Sequence, residues 1–365
     1  METTNYKNPR LLIDTSKEEE GSVTWRSPSN LAIIKYWGKH GNQLPRNPSI
    51  SFTLDAAYTE TTVYYTPQKE KWEEGIRLKF FFEDQANEVF EKKVRQYLEG
   101  LTDIFPFLRQ LELVIRSRNS FPHSSGIASS ASSMSALALC LCTMEHHFFN
   151  TLPDDSEFRQ KASYIARLGS GSACRSIFGT AAVWGATGEV EGSSDRYAVP
   201  YKEKLHELFR NYHDDILIVS EGRKAVSSRA GHALMDENIY ADNRYRQARQ
   251  RFHNLLRALS TGDVEQFGQI AEGEALTLHA LMMTSSPPYL LLKPNTIRLI
   301  ERIWEWREAE SVPLYFSLDA GPNLHLLYPH SEVDKVQSFI KQSLLEYCEN
   351  KQWIADQVGK GPVEI

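Results

Sequence analysis

Apolar and polar residues alternate in short runs through the first part of the chain. Residues 23–25, 50–54 and 61–65 are rich in β-branched and aromatic side chains, which are typical of strands. Over residues 84–105 the apolar side chains recur every three or four positions, so this segment predicts an amphipathic helix. Residues 111–116 alternate again and predict a further strand.

Two more helices are expected in the same part of the chain. A Ser-rich segment, 124–135, leads into the apolar run 136–142, which predicts a buried helix that begins after a Gly-containing loop. Residues 157–168 predict a second helix, because Gly and Ser at 169–172 supply an end signal. Each helix therefore begins or ends at a loop of small residues.

The pattern changes after about residue 205. Residues 216–220, 314–318 and 324–328 predict short buried strands, the last two on either side of the turn 319–323. The helices predicted in this part span residues 230–259, 264–283, 295–310 and 331–348. Strands and helices mix without a regular βαβ alternation, which favours an α+β fold over a doubly wound sheet.

A chain of 365 residues is long enough for two domains. We predict a flexible arm over residues 1–20, an N-terminal domain over 21–205 and a C-terminal domain over 206–365. The first 20 residues lack the apolar core of a signal peptide, and the longest apolar run is too short to span a bilayer. The four cysteines match no zinc set and no disulfide framework, which favours a cytoplasmic protein.

The composition of the chain excludes some classes of partner. There are 41 Lys and Arg residues against 47 Asp and Glu residues, a formal net charge of −6. An acidic balance gives no overall attraction to nucleic acid or to an anionic membrane, so neither partner is expected. A local basic pocket for an anionic small molecule is compatible with it.

Two loops of small residues are candidate anion sites. The segment 121–132 opens a predicted helix, and its Gly, Ser and Ala residues let backbone N–H groups approach a phosphate at the helix N-terminus. A Ser-rich capped helix start explains the same residues. The segment 169–175 combines two serines with Arg175, whose planar guanidinium matches a carboxylate. A helix C-terminus with a surface arginine is the alternative there.

Three shorter segments carry charged or hydroxyl groups. In the segment 32–39, Lys35 and Lys39 lie on either side of an aromatic pair. This pattern fits an anion site, and it also fits a strand end whose lysines point outward into solvent. Asp319 directly follows an apolar strand. This position suits a functional acid, or an aspartate whose side chain bonds the backbone of its own turn. In the segment 226–231, two serines and an arginine precede a helix, and N-capping also explains them.

Together these segments provide many hydrogen-bond donors for an anion and one acidic side chain positioned at a turn. They provide no cluster of metal ligands. The chain contains no GxxxxGK[ST], GxSxG or HExxH sequence and no Cys–His signature. The combination fits a kinase-like enzyme for a small phosphorylated acid better than it fits a hydrolase.

The order and content of five segments resemble the GHMP kinase superfamily and, within it, the mevalonate diphosphate decarboxylase family. The segments are IKYWGK at 34–39, GIASSAS at 126–132, GSGSACRS at 169–176, VSSR at 226–229 and FSLDAGPN at 316–323. GSGSACR and DAGPN distinguish this family from other kinases of the superfamily. The resemblance implies a GHMP kinase fold, with an N-terminal domain like ribosomal protein S5 domain 2 and a ferredoxin-like C-terminal domain.

The resemblance also implies a reaction. ATP phosphorylates the tertiary 3-hydroxyl of mevalonate 5-diphosphate, and loss of that phosphate with CO2 gives isopentenyl diphosphate. Asp319, Lys35 and Arg175 match the family's catalytic residues: the acid at the 3-hydroxyl, the lysine that keeps it ionised, and the arginine that grips the substrate carboxylate. The positions that match the substrate diphosphate site are Tyr36, Lys39, Ser170, Ser172, Ser228 and Arg229.

The cofactors that the resemblance implies are ATP and Mg2+. The positions that match the ATP loop are Gly126, Ala128, Ser129, Ser130 and Ser132, with Mg2+ expected at Ser130. A homodimer is expected, because many relatives are homodimers. The alternatives are a sister enzyme that decarboxylates mevalonate 5-phosphate or only phosphorylates the 3-hydroxyl, and a non-catalytic binding protein on the same scaffold.

Three residues depart from the family's pattern. His123 stands in the Gly-rich loop, where the family usually has a smaller, less polar residue. Pro48 interrupts the stretch before Ile50, and His232 stands where the family usually has Met. These departures touch the ATP loop and the region of the diphosphate.

Overall fold

The computed structural model describes residues 6–68, 75–122, 127–222 and 226–365, apart from the side chain of Arg229. Within those residues, strands and helices mix in two domains, and the α+β class predicted from the sequence is confirmed. The larger sheet lies in the N-terminal domain and a four-stranded sheet lies in the C-terminal domain. The arrangement of these two sheets positions the site.

A mixed sheet forms the N-terminal domain. Its strands, together with the small hairpin of β2 and β3, are β1 (Gly21–Ala32), β2 (Lys39–His40), β3 (Leu44–Pro45), β4 (Ser49–Pro67), β5 (Arg77–Phe82), β6 (Gln85–Ala86), β7 (Leu111–Asn119), β8 (Ala181–Trp184) and β9 (Ala198–Pro200). The 19-residue β4 lies at the centre, because it pairs with β1 along one edge and with β7 and β8 along the other. β5 pairs in parallel with β7.

Three helices pack with this sheet in the N-terminal core. They are α1 (Glu88–Glu99), α2 (Ser129–Phe149) and α3 (Asp155–Gly169). Asn87 and Asp154 cap α1 and α3, since each side-chain oxygen accepts the backbone N–H three residues on. The middle of α2 is buried on every side, as its continuous apolar sequence predicts. No helix in the described part of the chain is long and apolar enough to span a bilayer, α2 included.

An antiparallel sheet in the order β11–β12–β10–β13 forms the C-terminal domain. Its strands and helices are β10 (His213–Leu217), β11 (Tyr315–Leu318), β12 (Leu324–Tyr328), β13 (Trp353–Ile354), α4 (Ser228–Ala233), α5 (Ala241–Thr261), α6 (Val264–Met283), α7 (Pro294–Glu310) and α8 (Val333–Phe339). Because side chains alternate along a strand, Phe316 packs with α7 and α8, whereas Tyr315 packs with α5 and α6. The second face shares one core with Ile33 and Phe52 of the N-terminal domain.

The end of the chain crosses back to the N-terminal domain. The Asp356 carboxylate accepts N–H bonds from the three successive residues 55–57, each at 2.8 Å. A last strand, β14 (Val363–Glu364), then pairs with β1. The C-terminal domain predicted over 206–365 therefore includes a tail that lies on the N-terminal sheet.

Some predicted elements differ from the structure. The helix predicted over 230–259 is two helices, α4 and α5, with a turn between them. The helix predicted over 331–348 forms α8 but continues as a π-helical turn, Ile340–Leu344, and short 3-10 turns. Strand β8, with the sequence AAVW, is not predicted because alanine is a weak strand former.

Residues 8–13 of the predicted flexible arm are packed. Leu11 and Ile13 lie in the core of the N-terminal domain. The Ile13 N–H donates to the side-chain oxygen of Gln110 at 2.9 Å, and the Gln110 amide donates to the Ile13 carbonyl oxygen at 2.9 Å. The prediction of a loose arm is wrong for this stretch, because two buried side chains and a paired backbone anchor it.

Candidate active site

A cleft of about 790 Å³ opens between the two domains. The segments that meet at it include the residues after β1, the N-terminus of α2, the segment 169–175, helix α4 and the turn between β11 and β12. The predicted site residues among its lining are Lys35, Tyr36, Lys39, Ala128, Ser129, Ser130, Ser170, Ser172, Arg175, Ser228 and Asp319. The fold therefore collects segments that are far apart in the sequence.

A lysine and an aspartate form an ion pair in the wall of the cleft. Lys35 comes from the segment after β1 and is 2% exposed, whereas Asp319 comes from the β11–β12 turn and is 22% exposed. The distance from Lys35 Nζ to Asp319 Oδ1 is 3.0 Å. His279 of α6 donates to the Asp319 carbonyl oxygen at 3.1 Å and so fixes the turn. An acid that is held by a buried cation and still open to the cleft can receive a substrate hydroxyl.

Glu274, which no sequence motif singles out, holds the backbone of Lys35. Its buried carboxylate on α6 accepts the Lys35 N–H at 2.9 Å. Arg244 of α5 donates to both oxygens of this carboxylate, and Arg251 donates to it at 3.0 Å. Burial acts to raise the pKa of Glu274, but the charge of Arg244 holds that pKa below its usual value. This acid positions the lysine, and only the fold reveals it.

Arg175 is a buried cation on the cleft. It is 1% exposed, and burial lowers the pKa of its guanidinium. Its Nε donates to Ser51 Oγ, and its Nη1 donates to Ser49 Oγ at 2.8 Å. No acidic side chain among the described residues lies within ion-pairing distance of it. Because a buried charge requires a partner, the guanidinium indicates an anionic ligand in the cleft.

The segment after β1 places two further predicted residues on the cleft. Tyr36 packs against Trp184 with 4.6 Å between ring centroids, and its buried hydroxyl has no hydrogen-bond partner among the described residues. Burial raises the pKa of Tyr36, so the hydroxyl keeps its proton and can donate it to a ligand in a hydrogen bond. The Lys39 Nζ donates to Gln43 Oε1 at 3.0 Å.

The predicted ATP loop reaches the cleft at the start of α2. Its Gly126 lies outside the described residues. Ala128 adopts a left-handed conformation, φ 43°, and leads directly into α2. Ser129 and Ser130 occupy the first turn, where unpaired backbone N–H groups and the helix dipole attract an anion. The Ser130 and Ser170 hydroxyl oxygens are 3.3 Å apart, so the two predicted anion loops adjoin.

The structure corrects the placement of Ser132 in the ATP loop. Its hydroxyl is fully buried, lies 2.6 Å from Thr59 Oγ1 and donates to the Ser129 carbonyl oxygen at 3.2 Å. A residue two positions beyond Ser130 lies on a different face of a helix. Ser132 therefore supports the contact of α2 with β4 and does not line the cleft.

Helix α4 contributes Ser228 to the cleft. Ser227 caps this helix, since its Oγ accepts the Ala230 N–H at 3.2 Å. The side chain of Arg229 lies outside the described residues. His232, which lies on the same helix, also lines the cleft.

Oxygen donors in the cleft fit a nucleotide-bound Mg2+. Among the residues that the structure describes, no three His, Cys, Asp or Glu side chains gather as a metal site. Mg2+ needs few protein ligands when phosphate oxygens and water complete its octahedron. Ser129, Ser130 and Asp319 supply hydroxyl and carboxylate oxygens on the cleft surface, which is a donor set of this kind.

A two-domain α+β fold, a helix N-terminus suited to phosphate and a Lys–Asp pair in one cleft define an ATP-dependent enzyme of the GHMP kinase type. Residues 27–198 match the family described as "Diphosphomevalonate decarboxylase-like N-terminal domain". Residues 215–362 match the family described as "Mevalonate 5-diphosphate decarboxylase C-terminal domain". The chain belongs to the mevalonate diphosphate decarboxylase family, as its sequence motifs indicate.

Individual relatives agree with this membership. The diphosphomevalonate decarboxylase of Candida albicans is 32% identical over 329 residues, which cover 87% of each chain. A solved mevalonate diphosphate decarboxylase from Staphylococcus aureus superposes with a TM-score of 0.79 at 28% identity and covers 95% of this chain and 98% of its own. A structure described as "MDDEF in complex with MVAPP, AMPPCP and Magnesium" has a TM-score of 0.78 at 28% identity and covers 95% and 99%.

Proposed function

We propose that the chain catalyses the ATP-dependent decarboxylation of mevalonate 5-diphosphate to isopentenyl diphosphate, ADP, phosphate and CO2. The observation that carries the proposal is the buried Arg175 in the same cleft as the Lys35–Asp319 pair. A kinase that acts only on a hydroxyl needs the acid and the lysine. A buried guanidinium beside them adds a site for a substrate carboxylate, which its planar donors match.

Asp319 acts on the tertiary hydroxyl in the first step. Its carboxylate orients the 3-hydroxyl and accepts its proton as the oxygen attacks the γ-phosphorus of ATP and ADP leaves. Phosphoryl transfer depends on positioning and charge neutralisation more than on covalent help. Lys35, 3.0 Å away, balances the charge of the carboxylate and steadies the transferred oxygens.

Arg175 acts in the second step. The C3–O bond breaks, phosphate leaves, and the electron pair of the C–CO2 bond forms the new double bond as CO2 departs. Ser49 and Ser51 accept two guanidinium donors and so fix the plane of Arg175. The remaining donors hold the substrate carboxylate, so the breaking bond keeps its alignment with the departing phosphate.

The remaining donors of the cleft bind the diphosphate of the substrate. They are Tyr36, Lys39, Ser170, Ser172 and Ser228. Arg229 is assigned to the same group from its sequence motif, since its side chain lies outside the described residues. The Tyr36 hydroxyl, which has no partner in the described part of the chain, supports this placement, because a buried hydroxyl donor requires an acceptor. We assign Lys39 as the charge that balances the diphosphate.

The start of α2 binds ATP in this proposal. The backbone at Ala128 approaches the phosphates, and Ser129 and Ser130 donate hydroxyl hydrogen bonds. Gly126, which lies outside the described residues, is assigned to the same loop from its sequence motif. Ser130 holds Mg2+, which neutralises phosphate charge when bound. An apolar cavity of about 200 Å³ shares Ser129 and Ser130 with the cleft and is suited to the adenine base. Its apolar lining includes Phe80, Phe82, Phe90, Met134 and Leu137.

We extend the proposal to a cytoplasmic homodimer. The four cysteines are free and buried, as expected in a reducing compartment. The dimer is supported by the family resemblance. Light scattering on the full chain tests it, with a mass near twice 41.7 kDa expected and a monomer mass contradicting it.

The reaction is tested by its stoichiometry. Purified protein receives ATP, Mg2+ and mevalonate 5-diphosphate labelled with 13C in the carboxylate. We expect one ADP, one phosphate and one labelled CO2 for each isopentenyl diphosphate found by mass spectrometry. Release of ADP with a stable 3-phosphorylated product would instead show a 3-kinase, and would remove the role given to Arg175.

A further inference from the structure

His232 is buried beside the region proposed for the substrate diphosphate. It is 8% exposed and lines the interdomain cleft. Its ring lies against Tyr36 and Trp37, with centroid distances of 4.4 and 4.5 Å. The two aromatic contacts fix the plane of the imidazole, so any hydrogen bond that it makes has a set direction.

A backbone donor fixes which ring nitrogen of His232 carries the proton. The Gly38 N–H donates to Nδ1 of His232 at 3.0 Å. Nδ1 must therefore offer a lone pair, and the proton of the neutral ring sits on Nε2. Gly38 itself is constrained, because its φ is +101° and an added Cβ would lie 2.1 Å from the Tyr245 hydroxyl. The donor therefore has a fixed position.

His232 is uncharged at neutral pH. Burial and, to a smaller extent, the nearby charge of Lys39 together lower the pKa of His232 to about 3. Protonation would also require the loss of the bond from Gly38, since Nδ1 would then carry a hydrogen. The ring is thus a neutral donor through Nε2 over the physiological pH range.

The Nε2 donor has no protein acceptor among the described residues. Among the described residues, the ring accepts the Gly38 bond at Nδ1 and makes tilted aromatic contacts with Tyr36 and Trp37. Lys39 and Ser228 line the same cleft and can also donate hydrogen bonds to a ligand there. A neutral N–H beside a lysine and a serine hydroxyl matches a phosphate oxygen, which accepts several hydrogen bonds at once.

We propose that His232 is a specificity-determining residue whose Nε2–H donates to the distal phosphate of the substrate. The inference rests on the proposed function, since it places the substrate diphosphate beside Lys39. Arg175 and Asp319 are assigned to the carboxylate and the 3-hydroxyl of the substrate. Lys39 and His232 are therefore left for the distal phosphate at its other end. Lys39 supplies charge without direction, and His232 supplies a directed bond that a monophosphate leaves unmade.

The kinetic test compares H232M with H232Q. Met removes the donor and keeps the volume, whereas Gln places an amide N–H near the former Nε2. We expect H232M to raise the KM for mevalonate 5-diphosphate by at least about 10-fold with kcat changed less than about 2-fold, since one hydrogen bond to a charged group is lost. H232Q recovers most of the affinity. The control is H253M, at an exposed histidine on α5. An unchanged KM in folded H232M, or equal losses in H232M and H232Q, overturns the proposal.

A second readout does not depend on turnover. In full-length protein with 15N-labelled histidine, the resonances absent from H232M report this ring. We expect a neutral Nε2–H tautomer from about pH 5.5 to 8.5, and a shift of Nε2 when inorganic pyrophosphate or mevalonate 5-diphosphate is added without ATP. A proton on Nδ1, or an Nε2 that neither ligand moves, contradicts the proposal. If the wild type releases no CO2 but pyrophosphate still shifts Nε2, the proposed function fails and the His232 donor stands.

Discussion

The Lys35 Nζ lies 3.0 Å from Asp319 Oδ1, and the two residues are 284 positions apart in the chain. The lysine follows β1 of the N-terminal domain, and the acid follows β11 of the C-terminal domain. The pair therefore exists only when the two domains are packed together. Glu274 of α6 adds to this dependence, because it binds the Lys35 backbone across the same boundary.

Removal of the Asp319 charge tests the first step. We expect D319N to lower kcat by about 10²–10⁴-fold, because an amide cannot accept the proton of the 3-hydroxyl. Binding of ATP and of mevalonate 5-diphosphate, measured by calorimetry, remains close to that of the wild type. Near-normal turnover in D319N would show that the acid is not catalytic.

Replacement of the planar guanidinium of Arg175 tests the proposed carboxylate site. We expect R175K to lower kcat/KM by at least about 100-fold, because an ammonium cannot bond both serines and a carboxylate in one plane. R302K, at an exposed arginine on α7, is the matched control and leaves kcat/KM unchanged. If R175K behaves like its control, the carboxylate is bound elsewhere.

Glu274 is expected to matter for stability as well as for catalysis. E274A leaves the buried Arg244 unpaired and frees the Lys35 N–H, so we expect the free energy of unfolding to fall by about 3–5 kcal/mol. Urea unfolding measures this loss. E301A, at an exposed position on α7, should change stability by less than about 0.5 kcal/mol. A loss in E274A as small as that of E301A would show that the Glu274–Arg244 pair adds little to stability.

A buried carboxyl on β10 gives a prediction for pH. Asp215 accepts the Tyr328 hydroxyl at 2.6 Å and the Asp356 N–H at 3.0 Å. Burial raises the pKa of Asp215 from 3.8 to about 7. Between these pH values the folded state binds a proton that the unfolded state has lost, so the contribution of Asp215 to stability falls as the pH rises.

The variant D215N isolates this contribution. We expect the free energy of unfolding of the wild type, minus that of D215N, to decrease between about pH 4 and pH 7. Chemical denaturation at several pH values provides the difference. An increase over the same window would mean that the folded state favours the charged carboxylate.

Segments with strong periodicity or forced turns were predictable from the sequence. The helix predicted over 264–283 and the strand predicted over 324–328 match α6 and β12 at both ends. Asp319 could be singled out from the sequence because it directly follows an apolar strand and precedes a Gly-Pro turn, and it lines the cleft. In these segments local pattern and tertiary packing favour the same structure.

Other parts depend on contacts that no local pattern contains. Glu274 lies inside an ordinary helix, and its partners come from α5 and from the segment after β1. The return of the tail to β1 rests on a carboxylate, Asp356, that binds three backbone amides far away in the sequence. The tautomer of His232 is likewise set by the amide of Gly38. Such long-range polar contacts become visible only in the folded chain.

The most direct test of the central claim offers three substrates in parallel. The wild-type protein receives ATP and Mg2+ with mevalonate, mevalonate 5-phosphate or mevalonate 5-diphosphate, and ADP and CO2 are followed together. The account predicts equal release of ADP and CO2 from the diphosphate alone. Preference for the monophosphate, or ADP without CO2 from any of the three, would contradict it.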